Sequence, residues 1–191
     1  MCIRDRAYRL GDNTAKSMGR LTLNPIKHID PMGLLMMVLF KFGWAKPVPV
    51  NMWNFKNPKR GMAVTALAGP VSNIILSVIA LFLYGLLFYF LSDGAVGNAV
   101  LDMLYITGYI SIFFAIFNIM PIPPLDGSKV LFSFLSDSAY TKLMRYERYG
   151  MLILAVIVVT DILPLGGIAD FLFNKFFAVA QFAYDIVTKF V

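Results

Sequence analysis

An all-α polytopic membrane protein is the fold class this sequence predicts: a transmembrane helix bundle with a small membrane-associated extended or β element near the N-terminus. Three observations carry the prediction. Hydrophobic residues make up 59% of the 191-residue chain and charged residues only 15%, against roughly 45–50% and 25% in soluble domains. The stretches 61–92 and 103–125 contain no charged residue, and each reaches the roughly 20 residues that a bilayer-crossing helix needs. Between Met18 and Val50, prolines and β-branched residues break any helical period.

The spans follow in order. The first two are placed at 61–91 and 103–120. A third, at 149–165, has to accept Asp161 within it. The final stretch, 168–191, carries Asp170, Asn174, Gln181, Asp185 and Lys189 as a narrow polar stripe on an aromatic-rich helix, which suits either an amphipathic interfacial helix or a span. Nothing divides the chain by composition, so residues 1–191 read as a single membrane-embedded domain.

Charge supplies orientation. Lys46, Lys56, Lys59 and Arg60 precede the first span and Lys129, Lys142, Arg145 and Arg148 follow the second, whereas the intervening loop holds Asp93 and Asp102 without a base. The positive-inside rule then puts the basic ends in the cytoplasm and the 93–102 loop outside. The net charge of +6 is thereby explained without a nucleic-acid partner. With Cys2 as the sole cysteine, neither an internal disulfide framework nor a cysteine-based zinc cluster is available.

The residues before the first span are more mixed. Met1–Arg6 is polar and lacks the apolar core of a signal peptide. Ala7–Leu10 reads as a last helical turn, with Gly11 as its C-cap and Asp12–Asn13 as a turn, as though a longer helix preceded it. Met18–Pro31 reads as an extended, turn-rich strip. Gly33–Trp44 is too short to cross a membrane and reads as a re-entrant or interfacial element. Lys46–Val50 alternates proline with valine, as an edge strand does.

The string Asn118–Gly127, NIMPIPPLDG, is where chemistry is expected. Three prolines among residues 121–124 must end the preceding helix near Met120 and leave the backbone through Leu125 extended. At membrane depth such backbone needs cover from protein or a wet cavity. Asp126 arrives at its end, and an ionisable residue there is either functional or the cap of a following helix, 128–135. From the residues alone both readings stand.

Asn-x-x-Pro-x-Pro-Pro-Leu-Asp-Gly resembles the second signature of the site-2 protease family, zinc metalloproteases that work within membranes. Gly19–Gly33 and Ala68–Asn73 (AGPVSN) resemble two further family segments, and the similarity runs from about Ala7 to Gly150. The resemblance implies that Asp126 is a zinc ligand and that Asn73 and Asn118 lie near the scissile peptide. It also implies a transmembrane protein substrate, with peptide hydrolysis in or beside its membrane segments. The location implied is a bacterial cell membrane, crossed several times, with the lipid bilayer as the other partner and an extended substrate strand able to align on Lys46–Val50.

The family's His-Glu-x-x-His helix, which supplies two zinc ligands and the general base, has no counterpart in these 191 residues; His28 is the sole histidine and Glu147 the sole glutamate. No catalytic residue is therefore assigned. The expectation is an N-terminally truncated reading of a longer zinc peptidase, inactive by itself, with a foreign start at 1–6; the alternative is an inactive, site-2-protease-like membrane binding protein. His28, in a Pro-bounded strip, is expected to be a hydrogen-bonded structural or substrate-contacting residue.

Overall fold

A computed structural model describes residues 2–22, 24–40, 45–46, 50–123, 125–136, 138–139, 142, 149–150, 154, 156–157 and 165–190. It divides into two compact units, Met1–Ala68 and Gly69–Val191, taken here in turn.

The first unit is built from short helices. α1 (Cys2–Arg9) and α2 (Thr14–Ser17) meet through two small, fully buried residues, Ala7 and Ala15. The turn between them needs Gly11, whose φ of +109° is a conformation that side chains with a Cβ resist. After it comes a 3-10 turn, Pro25–His28, capped by Asn24, whose side chain accepts from the Ile26 N–H. Asp30 does the same for α3 (Pro31–Phe40), its carboxylate accepting from the Met32 and Gly33 N–H groups at 2.9 and 3.0 Å. A second 3-10 turn, Met52–Asn54, precedes α4 (Pro58–Leu91). At the start of α4, a Cβ on Gly61 would overlap the buried Phe55 ring.

This corrects the extended element expected over Met18–Val50. No strand occurs among the described residues, and helical turns occupy both the strip before Pro31 and the apolar stretch after it. The physical reason is capping: Asn24 and Asp30 satisfy the orphan N–H groups of a helix start, and the leucines and methionines of α3 favour helix. Residues 47–49 of the proposed edge strand lie outside the described residues.

The second unit takes the remainder of α4, then α5 (Ala95–Ile119), α6 (Asp126–Phe132), α7 (Leu165–Phe176) and α8 (Ala178–Phe190). Only Ser92–Gly94 separate α4 from α5, so the two form an antiparallel hairpin. Its register is marked by the Ser77 hydroxyl donating to the Gly108 carbonyl at 3.0 Å, while Leu81 packs over Gly108 itself. Leu81, Ile112, Phe173 and Ala180 form the core, flanked by Tyr84, Tyr109 and Phe177. Both hairpin helices are long and apolar enough to cross a membrane and carry large apolar side chains to their outer surfaces, among them Ile75, Leu83, Met103 and Phe114. An apolar surface of that kind suits lipid. They match the predicted spans 61–91 and 103–120, the second starting eight residues earlier. Most of the predicted span 149–165 lies outside the described residues.

The C-terminal stripe also differs from expectation. One residue, Phe177, interrupts the predicted helix between α7 and α8. Asp170 is not simply solvated: it accepts a 2.8 Å hydrogen bond from the Tyr109 hydroxyl, so a polar pair joins α7 to α5.

Candidate metal centre

The site is created where α5 has to stop. Met120, the C-cap of α5, has left the helical region (ψ 138°), and Leu125 is extended (φ −68°, ψ 154°). The connection is not wholly extended, because the Leu125 N–H donates to the Ile122 carbonyl at 2.9 Å and closes a turn. α6 then begins at Asp126, two residues earlier than expected. Leu125 occupies the cap position and Asp126 is the first helical residue, so its carboxylate is not an N-cap. The side chain is partly buried, with Lys129 one turn along at 3.7 Å.

Gly127 decides how closely α6 approaches α5. A Cβ there would overlap the carbonyls of Ile119 and Met120, so α6 starts in backbone contact with the end of α5. Asn118, the penultimate residue of α5, therefore shares this junction with Asp126. Asn73 lies on α4, one turn before Ser77; counting along the hairpin from the Ser77–Gly108 contact, its level is roughly 9 Å of helical rise from that of Asn118. Both asparagines are half-buried, and among the described residues neither amide has a hydrogen-bond partner.

His28 belongs to the first unit and is fully engaged. Its Nε2 donates to the Thr22 carbonyl at 2.9 Å, which leaves Nδ1 to accept from the Arg4 guanidinium at 3.1 Å. The same guanidinium nitrogen also donates to the Arg20 carbonyl at 2.7 Å. With both ring nitrogens occupied, the imidazole is a structural connector, as the sequence suggested.

Sequence reasoning took Asp12 for a turn residue, whereas it is the most connected polar group of the first unit. Fully buried, its carboxylate accepts from the Thr14 N–H, the Thr14 hydroxyl, the Asn51 N–H at 2.8 Å and the Asn54 side-chain amide at 2.7 Å. Burial by itself would push the carboxyl up, but the hydrogen bonds from Thr14, Asn54 and Asn51 together hold it below its ordinary range. An Asp two residues before a Thr is a local signal for such a cap, though not for its distant partners.

A partly buried carboxylate just past a break between apolar helices suits a class of membrane protein with a ligating or proton-handling group. Comparison with known proteins makes the class specific. The family model described as Peptidase family M50 matches residues 91–163. A Bacillus subtilis protein named as a candidate zinc metalloprotease, YwhC, is 41% identical over 163 residues, covering 84% of this chain and 73% of its own length. Rip2 of Mycolicibacterium smegmatis, similarly named, is 31% identical over 82% of this chain and 60% of its own length. Rip2 of Mycobacterium tuberculosis is 28% identical over 94% and 66%. No solved structure gives a significant match. The chain belongs to the M50 peptidases, the site-2 protease family.

Members of that family are membrane metalloproteases, and zinc is their metal. The donor set of this chain does not by itself fit that ion. Among the described residues no three His, Cys, Asp or Glu groups converge, and the sole imidazole is bonded at both nitrogens. Asp126 is the carboxylate that the described residues place at the α5–α6 junction.

Proposed function

We propose that this chain is the carboxylate-bearing portion of an intramembrane zinc peptidase that hydrolyses peptide bonds in or beside the transmembrane segments of other proteins. The observation that carries the reading is the α5–α6 junction: a partly buried aspartate placed as the first helical residue after a proline-broken apolar helix. Zinc, when bound, would supply Lewis-acid activation of water. The chain's own contribution is narrower. Asp126 offers an anionic oxygen ligand, and the non-helical residues 120–123 and 125 interrupt the apolar helices beside it. Asn73 and Asn118, whose amides have no partner among the described residues, supply hydrogen bonds to an extended peptide.

The test uses a longer protein in which the chain follows a helix bearing His-Glu-x-x-His. Metal analysis and cleavage of a model transmembrane substrate are read together. Asp126→Ala is expected to reduce zinc to well below one ion per chain and to abolish cleavage, since a three-ligand site loses its carboxylate. Asn118→Ala is expected to slow turnover by roughly tenfold with zinc unchanged. Full zinc content and full cleavage in Asp126→Ala would reduce Asp126 to a helix residue.

The orientation proposed for the molecule has residues 93–102, the turn and the first turns of α5, outside the cell, since their acids have no nearby base. Cysteine introduced at Asn98 is expected to react with an impermeant thiol reagent on intact cells, and cysteine at Lys142 to react only after lysis. The reverse pattern would invert the topology.

A further inference from the structure

A second site lies away from Asp126, near the other end of the α4–α5 hairpin. There α8 runs against the last turns of α4 so closely that a Cβ on Gly85 would overlap the Ala180 carbonyl. Beside this contact is a cleft of about 440 Å³. Tyr84 and Phe88 line it from α4, and Phe177 and Tyr184 from the C-terminal segment. The rings form a continuous wall: Tyr84 to Phe177 is 5.9 Å between centroids, Tyr84 to Phe88 5.6 Å, and Phe88 meets Tyr184 edge-on at 5.8 Å. Gln181 and Asp185 complete the lining.

Asp185 is the informative member. Among the described residues its carboxylate forms no hydrogen bond or ion pair, although Lys189 stands one turn away on the same helix. An exposed anion set beside four aromatic rings and ion-paired to no described residue favours an organic ammonium: ring faces attract such a cation within about 6 Å, and the carboxylate pairs with it. Lys189 apart, the nearby charge has the same sign, because this end of the hairpin also carries Asp93 and Asp102 without a base between residues 92 and 102. An anionic headgroup would be repelled.

Depth identifies the source of the ammonium. Phe88 and Tyr84 precede the end of α4 by roughly 4 and 10 Å of helical rise, the level at which headgroups and aromatic belts meet. Next to the cleft, Phe90 and Phe182 turn outward, 63% and 62% exposed, and give acyl chains an apolar surface. We propose that this cleft binds the ammonium headgroup of an amine-bearing phospholipid, with Asp185 as its counter-ion and Tyr84, Phe88, Phe177 and Tyr184 as its aromatic wall.

The experiment takes the full chain in a non-ionic detergent and titrates it by calorimetry with three probes. These are a short-chain phosphatidylethanolamine, a phosphatidylglycerol with the same acyl chains, and free ethanolamine. Saturable binding of the first at about one per chain is expected, with the other two at least tenfold weaker. Asp185→Asn is expected to weaken the first by about tenfold, Asp185→Glu to retain it, and Lys189→Gln to leave it no weaker. Asp185 has no partner to lose among the described residues, so its substitution does not threaten the fold; an unchanged melting temperature of Asp185→Asn verifies that. Equal binding of the phosphatidylglycerol, or unaltered binding by Asp185→Asn, overturns the charge assignment. Free ethanolamine binding as tightly as the lipid overturns the lipid as its source. None of these outcomes depends on zinc or on peptide hydrolysis.

Discussion

Gly127→Val is expected to destabilise the second unit by about 3 kcal/mol, at the upper end of overpacking costs. Neither carbonyl that the new side chain meets, on Ile119 or Met120, can rotate away as a side chain could. α6 has to back off from the end of α5 and takes Asp126 with it. In the longer protein carrying His-Glu-x-x-His, zinc content and cleavage are therefore expected to fall even though no ligand has been altered. Gly166→Ala is the control. It lies in the first turn of α7 with open space around it, and replacing it by alanine is expected to cost nothing and to gain at most about 0.5 kcal/mol, less than at a mid-helix glycine. Thermal unfolding in detergent and metal content separate the two. Should Gly127→Val melt like the unaltered chain, the α5–α6 contact does not position the carboxylate.

The second large effect is expected at Asp12. Asp12→Ala removes one acceptor from three residues at once and leaves the Asn51 N–H and the Asn54 amide without it, a loss of about 3–5 kcal/mol, comparable to breaking a buried charged pair. The sign of the pH dependence follows from the hydrogen bonds. Because the folded carboxyl titrates below its ordinary range, its contribution is complete above the unfolded pKa and disappears as the pH falls through the lower folded one. The unaltered chain should lose stability progressively below about pH 4. Asp12→Ala, already weak at neutral pH, should lose less over the same interval. Unfolding midpoints measured across that interval for both chains decide the matter; parallel curves would mean that the carboxylate is not the titrating group.

Asp12 also shows where sequence reading runs out. Its partners Asn51 and Asn54 stand 39 and 42 residues away, and no period or spacing links them. The two long helices were legible because lipid imposes a simple rule, an uncharged run of sufficient length. The end of α5 was legible because proline acts locally on the backbone. Between residues 18 and 50 the local signals conflict: proline and β-branched residues suggested extension, yet Asn24 and Asp30 each cap a helical turn, and capping prevailed. At the candidate centre, the family string singled out Asp126 and Asn118. The closeness of α6 to α5 depends on which atoms Gly127 faces, and the glycine alone could not reveal that.

α4 carries one more consequence, through its length. Its 34 residues amount to about 51 Å at 1.5 Å per residue, and about 46 Å remain after the charged start at Pro58–Arg60 is set aside. The hydrocarbon layer is about 30 Å thick, and hiding the whole rod within it would take a tilt of roughly 50°, beyond the 0–40° that spanning helices adopt. A bilayer-spanning α4 therefore has to overhang the hydrocarbon in part. Its charges show which part: Lys59 and Arg60 stand at the N-terminal end, whereas the polar Thr65 and Ser77 farther along are buried within the protein. The N-terminal turns are thus the end that projects, by about 16 Å for an upright helix, which stops short of Asn73. Thicker membranes would cover more of these turns and thinner ones less, each ångström of mismatch costing a fraction of a kcal/mol, so that bilayer thickness sets how far water reaches along the start of α4.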